Sequence, residues 1–313
     1  MSGWGRALTR SAGVAAFMIA AGALAARFVP IVNHVVLGLA VPAPYLMCGA
    51  LLAAILAVWA RAWKLTAVSL VLTVAVVAVQ LPWYRADPRP DGVTVRIVTA
   101  NVKYSHVPPS DMVRLAEDHA DIVMVQELTP GLAEAMSTGL ARDFPYRAVR
   151  AREGAAGVGL WSRYPITGWT TDEAFTQGFV AAHVQLPSGR PLVAVSAHLM
   201  APWPEPSSDW RGDMARLDKA LQQLPGDKPV ILGGDLNATP DLREFRALLH
   251  NGFHDGAAQA GAGITRTYPA DSTVPPLIAI DHVLTRGATV TAMTTLSLPE
   301  SDHRALAATV VLP

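Results

Sequence analysis

The chain has a single cysteine, Cys48, in 313 residues. That excludes an intrachain disulfide and a thiolate metal cluster. Cys48 lies in an apolar run and reads as one more small apolar residue. A domain of this size can bury a sufficient core without cystine, so an extracytoplasmic location stays open. Net charge is also missing, with 25 Lys and Arg against 25 Asp and Glu. Nothing global therefore suggests a polyanion partner. No Gly-x-Ser-x-Gly elbow occurs, which counts against a serine hydrolase. There is no internal repeat.

The zero balance hides a split. Before Asp91 lie seven basic residues (Arg6, Arg10, Arg27, Arg61, Lys64, Arg85, Arg89) and one acid, Asp87. The remainder carries 18 basic and 24 acidic residues, a net of −6. That acidity argues against unassisted, nonspecific DNA binding.

The N-terminal part is poor in charge and rich in apolar runs. Phe28–Ala60 has no charged residue, though Pro30, Asn33, His34, Pro42 and Pro44 interrupt it. Gly13–Ala26 and Leu65–Leu81 are apolar as well. A bilayer core takes about 20 apolar helical residues. Three spans are expected, near 11–29, 36–60 and 65–84, because no polar face is present. Arg6, Arg10, Arg61 and Lys64 fall on one side of this layout, and Arg27 and the 85–89 segment on the other. The positive-inside rule then puts the N-terminus in the cytoplasm and the C-terminal domain outside. Ala23-Leu24-Ala25 also fits a signal-peptide cleavage site; cleavage would leave two spans and the same orientation. Residues 85–92 read as a Pro-rich linker that spans at most roughly 25–30 Å, which keeps the domain 93–313 near the bilayer.

From Val93 onward, short apolar strands outnumber helices. Strands are expected at 93–100, 121–125, 157–161, 180–186, 191–197, 230–232, 277–284, 290–298 and 305–312. Helices are expected at 109–119, 130–140, 210–224 and 242–250. Consecutive strands imply hairpins and antiparallel sheets rather than strict βαβ alternation. The stretch Pro229–Pro240 stands out. Gly233 and Gly234 close a buried strand, and Asp235 and Asn237 follow two apart, so extended backbone points them the same way. A carboxylate and an amide there suit a site that orients water and holds an anion; a capped strand-to-helix turn is the plainer alternative. Asn101, Glu127, His198, Asp235, Asn237, Asp302 and His303 all sit at or just beyond apolar strands, and Asp281 within one. One rim collecting these groups has the character of an active site. His282 would face away from Asp281 on a regular strand and is left out.

Six fragments carry a resemblance: Val-Thr-Ala-Asn-Val (98–102), Val-Gln-Glu (125–127), Ser-Ala-His-Leu (196–199), Gly-Gly-Asp-Leu-Asn-Ala-Thr-Pro (233–240), Ile-Asp-His-Val-Leu (280–284) and Ser-Asp-His-Arg (301–304). In this order they resemble the endonuclease/exonuclease/phosphatase superfamily, which includes deoxyribonuclease I-like nucleases, abasic-site endonucleases, inositol polyphosphate phosphatases and neutral sphingomyelinases. The resemblance covers Val93 to the C-terminus and not residues 1–92. It implies a four-layer α-β-β-α sandwich of two mainly antiparallel sheets. It implies Glu127 as the principal Mg²⁺ ligand, Asp302 near the metal, and Asn101 at metal or phosphate. Hard oxygen donors fit Mg²⁺ or Mn²⁺ rather than Zn²⁺. Asp235 would orient and deprotonate water. Asn237 and His198 would donate to phosphoryl oxygens. His303 would act on phosphate or water, with its ring held by Asp281.

The expectation is a membrane-anchored, extracytoplasmic Mg²⁺-dependent phosphoesterase. Phosphodiesters of a lipid head group or another surface molecule are the favoured substrates. The rivals are an extracellular endo- or exonuclease and a non-catalytic membrane receptor that keeps the fold. No obligate protein partner is evident. Two further features are left open. Arg142, Arg147, Arg150 and Arg152 form a local basic group that could receive phosphate or simply be solvated. Trp203 and Trp210 either pack or line the cleft.

Overall fold

The computed structural model describes residues 2–313. Backbone contacts divide the chain into two compact units, Met1–Pro82 with Pro240–Arg246, and Trp83–Thr239 with Ala247–Pro313.

The first unit is helical: α1 (Gly3–Ala26), α2 (His34–Ala40), α3 (Ala43–Leu46), α4 (Gly49–Trp59) and α5 (Trp63–Gln80). Its interior is lined by small residues. Ala20, Ala23, Ala50, Ala53 and Ala57 are buried, whereas Leu8, Met18, Val71 and Val74 are exposed. A side chain at Gly49 would come within 2.9 Å of the Ala16 carbonyl, so α1 and α4 need glycine to approach. Small residues inside and large apolar residues outside is the pattern of helices packed in lipid. α1 and the segment Trp63–Tyr84 are each long and apolar enough to cross a membrane; α2 with α3–α4, bent by 62°, makes a third if counted as one span. In the same unit Arg27 is ion-paired with Asp241, and Gln80 donates to that carboxylate at 3.1 Å.

The second unit is an α/β sandwich. Its elements are β1 (Val93–Asn101), α6 (Pro109–His119), β2 (Ile122–Gln126), α7 (Pro130–Gly139), β3 (Tyr146–Arg150), β4 (Val158–Ser162), β5 (Ile166–Thr171), β6 (Gly178–Gln185), β7 (Pro191–His198), α8 (Ser207–Gln223), β8 (Val230–Asp235), α9 (Arg243–Leu248, whose first turn groups with the helical unit), β9 (Phe253–Asp255), α10 (Gly256–Gln259), β10 (Asp281–Arg286), β11 (Thr289–Leu296) and β12 (Ala305–Leu312). Two six-stranded sheets form, ordered β11-β12-β1-β2-β4-β3 and β5-β6-β7-β8-β10-β9. Each is antiparallel except for one central parallel pair, β1/β2 in the first and β7/β8 in the second. Parallel neighbours need a crossover, and α6 and α8 supply it.

The main core lies between the sheets and includes Ile97, Met124, Leu160, Ala182, Ala194, Ile231, Val283 and Val310. Val98, Val123, Val125 and Trp161 of the first sheet instead pack with Met112 and Leu115 of α6 and Met136 of α7. Central strands are thus covered on both faces, which is why they read as unbroken apolar runs.

The edge strands β3 and β5 were not expected from sequence. β5 is mostly exposed and β3 is buried only at Ala148, so their apolar signal is thin. The expected strand at 277–284 begins only at Asp281. Upstream, Ile278 makes an isolated bridge to Tyr268, because β8, the partner of β10, ends at the register pair Asp281–Asp235. Residues 85–92 are held at their start, where Asp87 donates its backbone N–H to the Gln259 carbonyl at 2.8 Å. Gly261, at φ +61°, leaves no room for a side chain against Ala86.

Candidate active site

The two parallel pairs bring their carboxyl ends together. Asn101 and Gln126 are register partners at the end of β1/β2, and His198 and Asp235 at the end of β7/β8. Ligand sites form at the carboxyl ends of parallel strands because the chain leaves the sheet there and frees polar groups. β10 adds Asp281 opposite Asp235.

Asn101 is fully buried and joins the two sheets. Its Nδ2 donates to Glu127 Oε1 and to Asp235 Oδ2, both at 3.0 Å. Its Oδ1 accepts the Lys103 backbone N–H at 2.9 Å, which fixes which way the amide points. The amide nitrogen, not the oxygen a metal would take, therefore faces Glu127. Glu127 itself sits at φ 58°, a left-handed conformation uncommon for glutamate. The turn is locked because Leu128 pairs through its backbone with Gly157 and Arg152. Glu127 Oε2 accepts the Tyr104 N–H at 2.9 Å.

Asp235 is 1% exposed. Its Oδ1 accepts the Asn237 N–H at 2.9 Å. Burial, with Asp281 alongside, pushes its carboxyl up, against the pull of His303 and His198. His198 donates from Nδ1 to the Ala155 carbonyl at 3.0 Å, since a carbonyl can only accept. Its Nε2 lies 3.7 Å from Asp235 Oδ2 and 3.9 Å from Glu127 Oε1. His303 Nδ1 lies 2.8 Å from Asp281 Oδ2, and its Nε2 lies 3.7 Å from the same Asp235 oxygen. Burial alone would lower the His303 pKa, but Asp281 and Asp235 outweigh it and push it up to about 10. Asp281 Oδ1 is buried with no hydrogen-bond partner. Asn237, at φ 49°, donates from Nδ2 to the Leu199 carbonyl at 3.0 Å. Asp302 is half-buried beside the cluster, its carboxyl raised by burial, with His303 and Lys103 opposing and Glu127 adding to the rise.

Every residue named from sequence for the site thus falls in one cluster. His282 points elsewhere, between Asp255 at 2.9 Å and the Ala238 carbonyl at 2.8 Å. The basic group is split: Arg150 and Arg152 both bind Glu173, whereas Arg142 and Arg147 are exposed. Trp210 is a packing residue, fully buried and donating to the Leu236 carbonyl, while Trp203 is exposed. Sequence reasoning missed Ser301, which accepts from His303 N and donates to the Asn101 carbonyl at 2.8 Å. It also missed Tyr268, whose ring lies 5.0 Å from that of His303. Ser301 lies within a quoted motif; no local signal marks Tyr268.

The profile of the Endonuclease/Exonuclease/phosphatase family matches residues 98–303, about two thirds of the chain. The chain belongs to this family. By that membership it is a hydrolase acting on phosphoester bonds. Among curated relatives, the uncharacterized protein YbhP of Escherichia coli K12 is 25% identical over 190 residues, 57% of this chain and 72% of its own. Among solved structures, a humanized D. rerio TDP2 superposes with TM-score 0.59 at 20% identity over 69% of this chain and 98% of that one. An endonuclease/exonuclease/phosphatase from Bacteroides vulgatus gives 0.57 at 19% over 71% and 100%. These likenesses show the fold.

Members of the family generally depend on divalent metal, and the residues present fit such an ion. Glu127, Asp235, Asp281 and Asp302 crowd together, faced by His198, His303 and Lys103. One donor atom each from Asp235, Asp281 and His303 lies within 4.8 Å of the others. That trio is the poorer ligand set. His303 Nδ1 and Asp281 Oδ2 are already bonded to each other, so that pair has fewer donor atoms left for a cation. The hard oxygens of Glu127 and Asp302 suit a cation better.

Proposed function

We propose that this family member is a Mg²⁺- or Mn²⁺-dependent phosphodiesterase anchored in the membrane. It acts at the outer face on a lipid head group or another surface phosphodiester. The observation that carries the reading is the convergence of two imidazole Nε2 atoms, each 3.7 Å from one oxygen of Asp235. These gaps are too long for hydrogen bonds. They suit groups arranged around a reacting water and phosphoryl group rather than bonded to each other.

Each residue then has a task. Asp235, basic because it is buried, takes the proton of the attacking water. His303, kept charged by Asp281, donates to a phosphoryl oxygen as negative charge builds. His198 spends Nδ1–H on Ala155, so only its protonated form donates from Nε2. The free Nδ2 hydrogen of Asn237 is a further donor. Asn101 holds Asp235 and Glu127 at fixed spacing. Glu127 and Asp302 would hold the divalent ion, which when bound neutralises phosphoryl charge and stabilises the leaving oxygen.

Apolar helices and basic residues support the membrane part of the reading. Exposed Leu8, Met18, Val71 and Val74 match a lipid-facing surface. The distribution of Arg and Lys favours the outer face.

The test is to incubate the full chain in detergent, with and without Mg²⁺, with phospholipids, polynucleotides and sugar phosphates. Metal-dependent cleavage of phospholipid supports the reading. Cleavage confined to polynucleotide, with steep salt dependence, replaces it with a nuclease. No hydrolysis by folded protein replaces it with a receptor.

A further inference from the structure

Arg150 is a nearly buried cation outside the cleft, with its side chain 9% exposed at the end of β3. All of its guanidinium nitrogens are engaged. Nε and Nη2 bind the two oxygens of Glu173 at 2.9 and 2.8 Å. Nη1 donates to two carbonyls, Ala156 at 2.8 Å and Gln177 at 3.1 Å. With its charge matched and its donors used, Arg150 has little left to offer a phosphate. Arg152 differs, being half exposed and reaching Glu173 through Nη2 alone.

The two carbonyls belong to segments that meet at the site. Ala156 closes the turn Gly154–Ala156, and Gln177 directly precedes β6. The middle residue of that turn, Ala155, accepts from His198 Nδ1 at 3.0 Å. Gly157, just past the turn, accepts the N–H of Leu128, the residue after Glu127, at 3.0 Å. A side chain at Gly157 would fall 1.8 Å from the Leu128 carbonyl, so this approach is tight. One turn therefore touches His198 directly and Glu127 through its neighbour. The only tie from the Arg150 side chain into that turn is its bond to Ala156.

We propose that Arg150 is a positioning residue for His198. By tying the Ala156 and Gln177 carbonyls to one planar fork, it holds the Ala155 carbonyl where it accepts from Nδ1. That bond turns Nε2 toward Asp235 and Glu127. A lysine could not do the same, because its point charge lacks a fork spanning two carbonyls and a carboxylate. Groups that hydrogen-bond the far nitrogen of a working imidazole set its tautomer and orientation. The functional consequence rests on the reading that His198 serves phosphoryl transfer.

The experiment uses the full chain in detergent, labelled with ¹⁵N-histidine, as wild type, R150M and R150K. His198 is assigned from the signal lost in H198Q, and H198A is assayed in parallel. In wild type the His198 ring shows a fixed Nδ1–H tautomer. In R150M it shows mixed tautomers, and kcat for an aryl phosphodiester falls roughly 10–100-fold, the usual cost of removing an outer orienting partner. KM stays within about twofold, because the substrate does not touch Arg150. R150K is intermediate in both readouts. A folded R150M with the wild-type ring signature and kcat overturns the proposal. If R150M does not fold, a folded R150K indistinguishable from wild type overturns it. If H198A keeps wild-type turnover, the role given to His198 fails, while the ring signature still decides whether Arg150 holds it.

Discussion

His303 and Asp281 are joined by a 2.8 Å hydrogen bond from Nδ1 to Oδ2, with Asp281 1% exposed and its second oxygen unpartnered. The pair spans two distant parts of the chain, the first residue of β10 and the turn before β12. It fixes the imidazole so that Nε2 faces Asp235. Asp281→Asn is expected to keep the fold and lower kcat by about 10²–10⁴, because an amide no longer stabilises the charged ring. Steady-state kinetics with circular dichroism as the fold control checks this. Wild-type kcat in a folded variant would remove the pair from the mechanism.

Asp235→Asn and His303→Ala each take away a group facing the reacting atoms. Each should cut Mg²⁺-dependent cleavage of an aryl phosphodiester by about 10²–10⁴. Asp235 accepts from Asn101 on one oxygen and from Asn237 on the other, so asparagine keeps the shape but can accept only one of these bonds, its NH2 facing a donor at the other. Unchanged turnover in either variant would sink the mechanism.

Metal dependence has its own signature. Treatment with EDTA should stop turnover, and Mg²⁺ or Mn²⁺ should restore it. Glu127→Gln should raise the Mg²⁺ concentration for half-maximal rate by about tenfold or more. A Mg²⁺ titration in both proteins reads the shift, and superimposed curves would exclude Glu127 as a ligand.

Gly234 lies in β8 opposite Ala197 of β7, where an added Cβ would meet the Ala197 carbonyl at 2.0 Å. Gly234→Ala must push apart the parallel pair that ends in His198 and Asp235. A loss of about 1–3 kcal/mol, or more, is expected from overpacking. Urea unfolding measures it; a change below about 0.5 kcal/mol would mean the strands yield without cost.

Hydrogen bonding from Arg150, with the charge of Arg150 and Arg152 and a bond from Arg152 adding to it, holds the Glu173 carboxyl down at about 2 against the opposing effect of desolvation. A depressed carboxylate contributes stability above its unfolded pKa of about 4.5, and that contribution fades as pH falls toward 2. Glu173→Gln should therefore be less stable than wild type at pH 7, with the gap closing near pH 2–3. Melting temperatures across that range read the convergence. A gap independent of pH would mean that the ion pair contributes nothing through its charge.

The sequence by itself determined the parts that depend on local pattern. Apolar runs without a polar face marked the N-terminal helices, and uninterrupted apolar strands marked the sheet centres, because burial on both faces leaves no alternation. Polar residues at strand ends marked Asn101, Glu127, His198, Asp235, Asn237, Asp281, Asp302 and His303. Tertiary structure decided what no local pattern encodes. Asn101 bonds across 134 positions to Asp235, and Ser301 across 200 positions to the Asn101 carbonyl. The edge strands β3 and β5 needed the sheet to exist before their exposed residues had neighbours to pair with. Arg150 read as surface charge until folding brought Glu173, Ala156 and Gln177 around one guanidinium. Hydrogen bonds of this kind depend on register between strands far apart in the chain, and register is set by packing of the whole core rather than by any one segment.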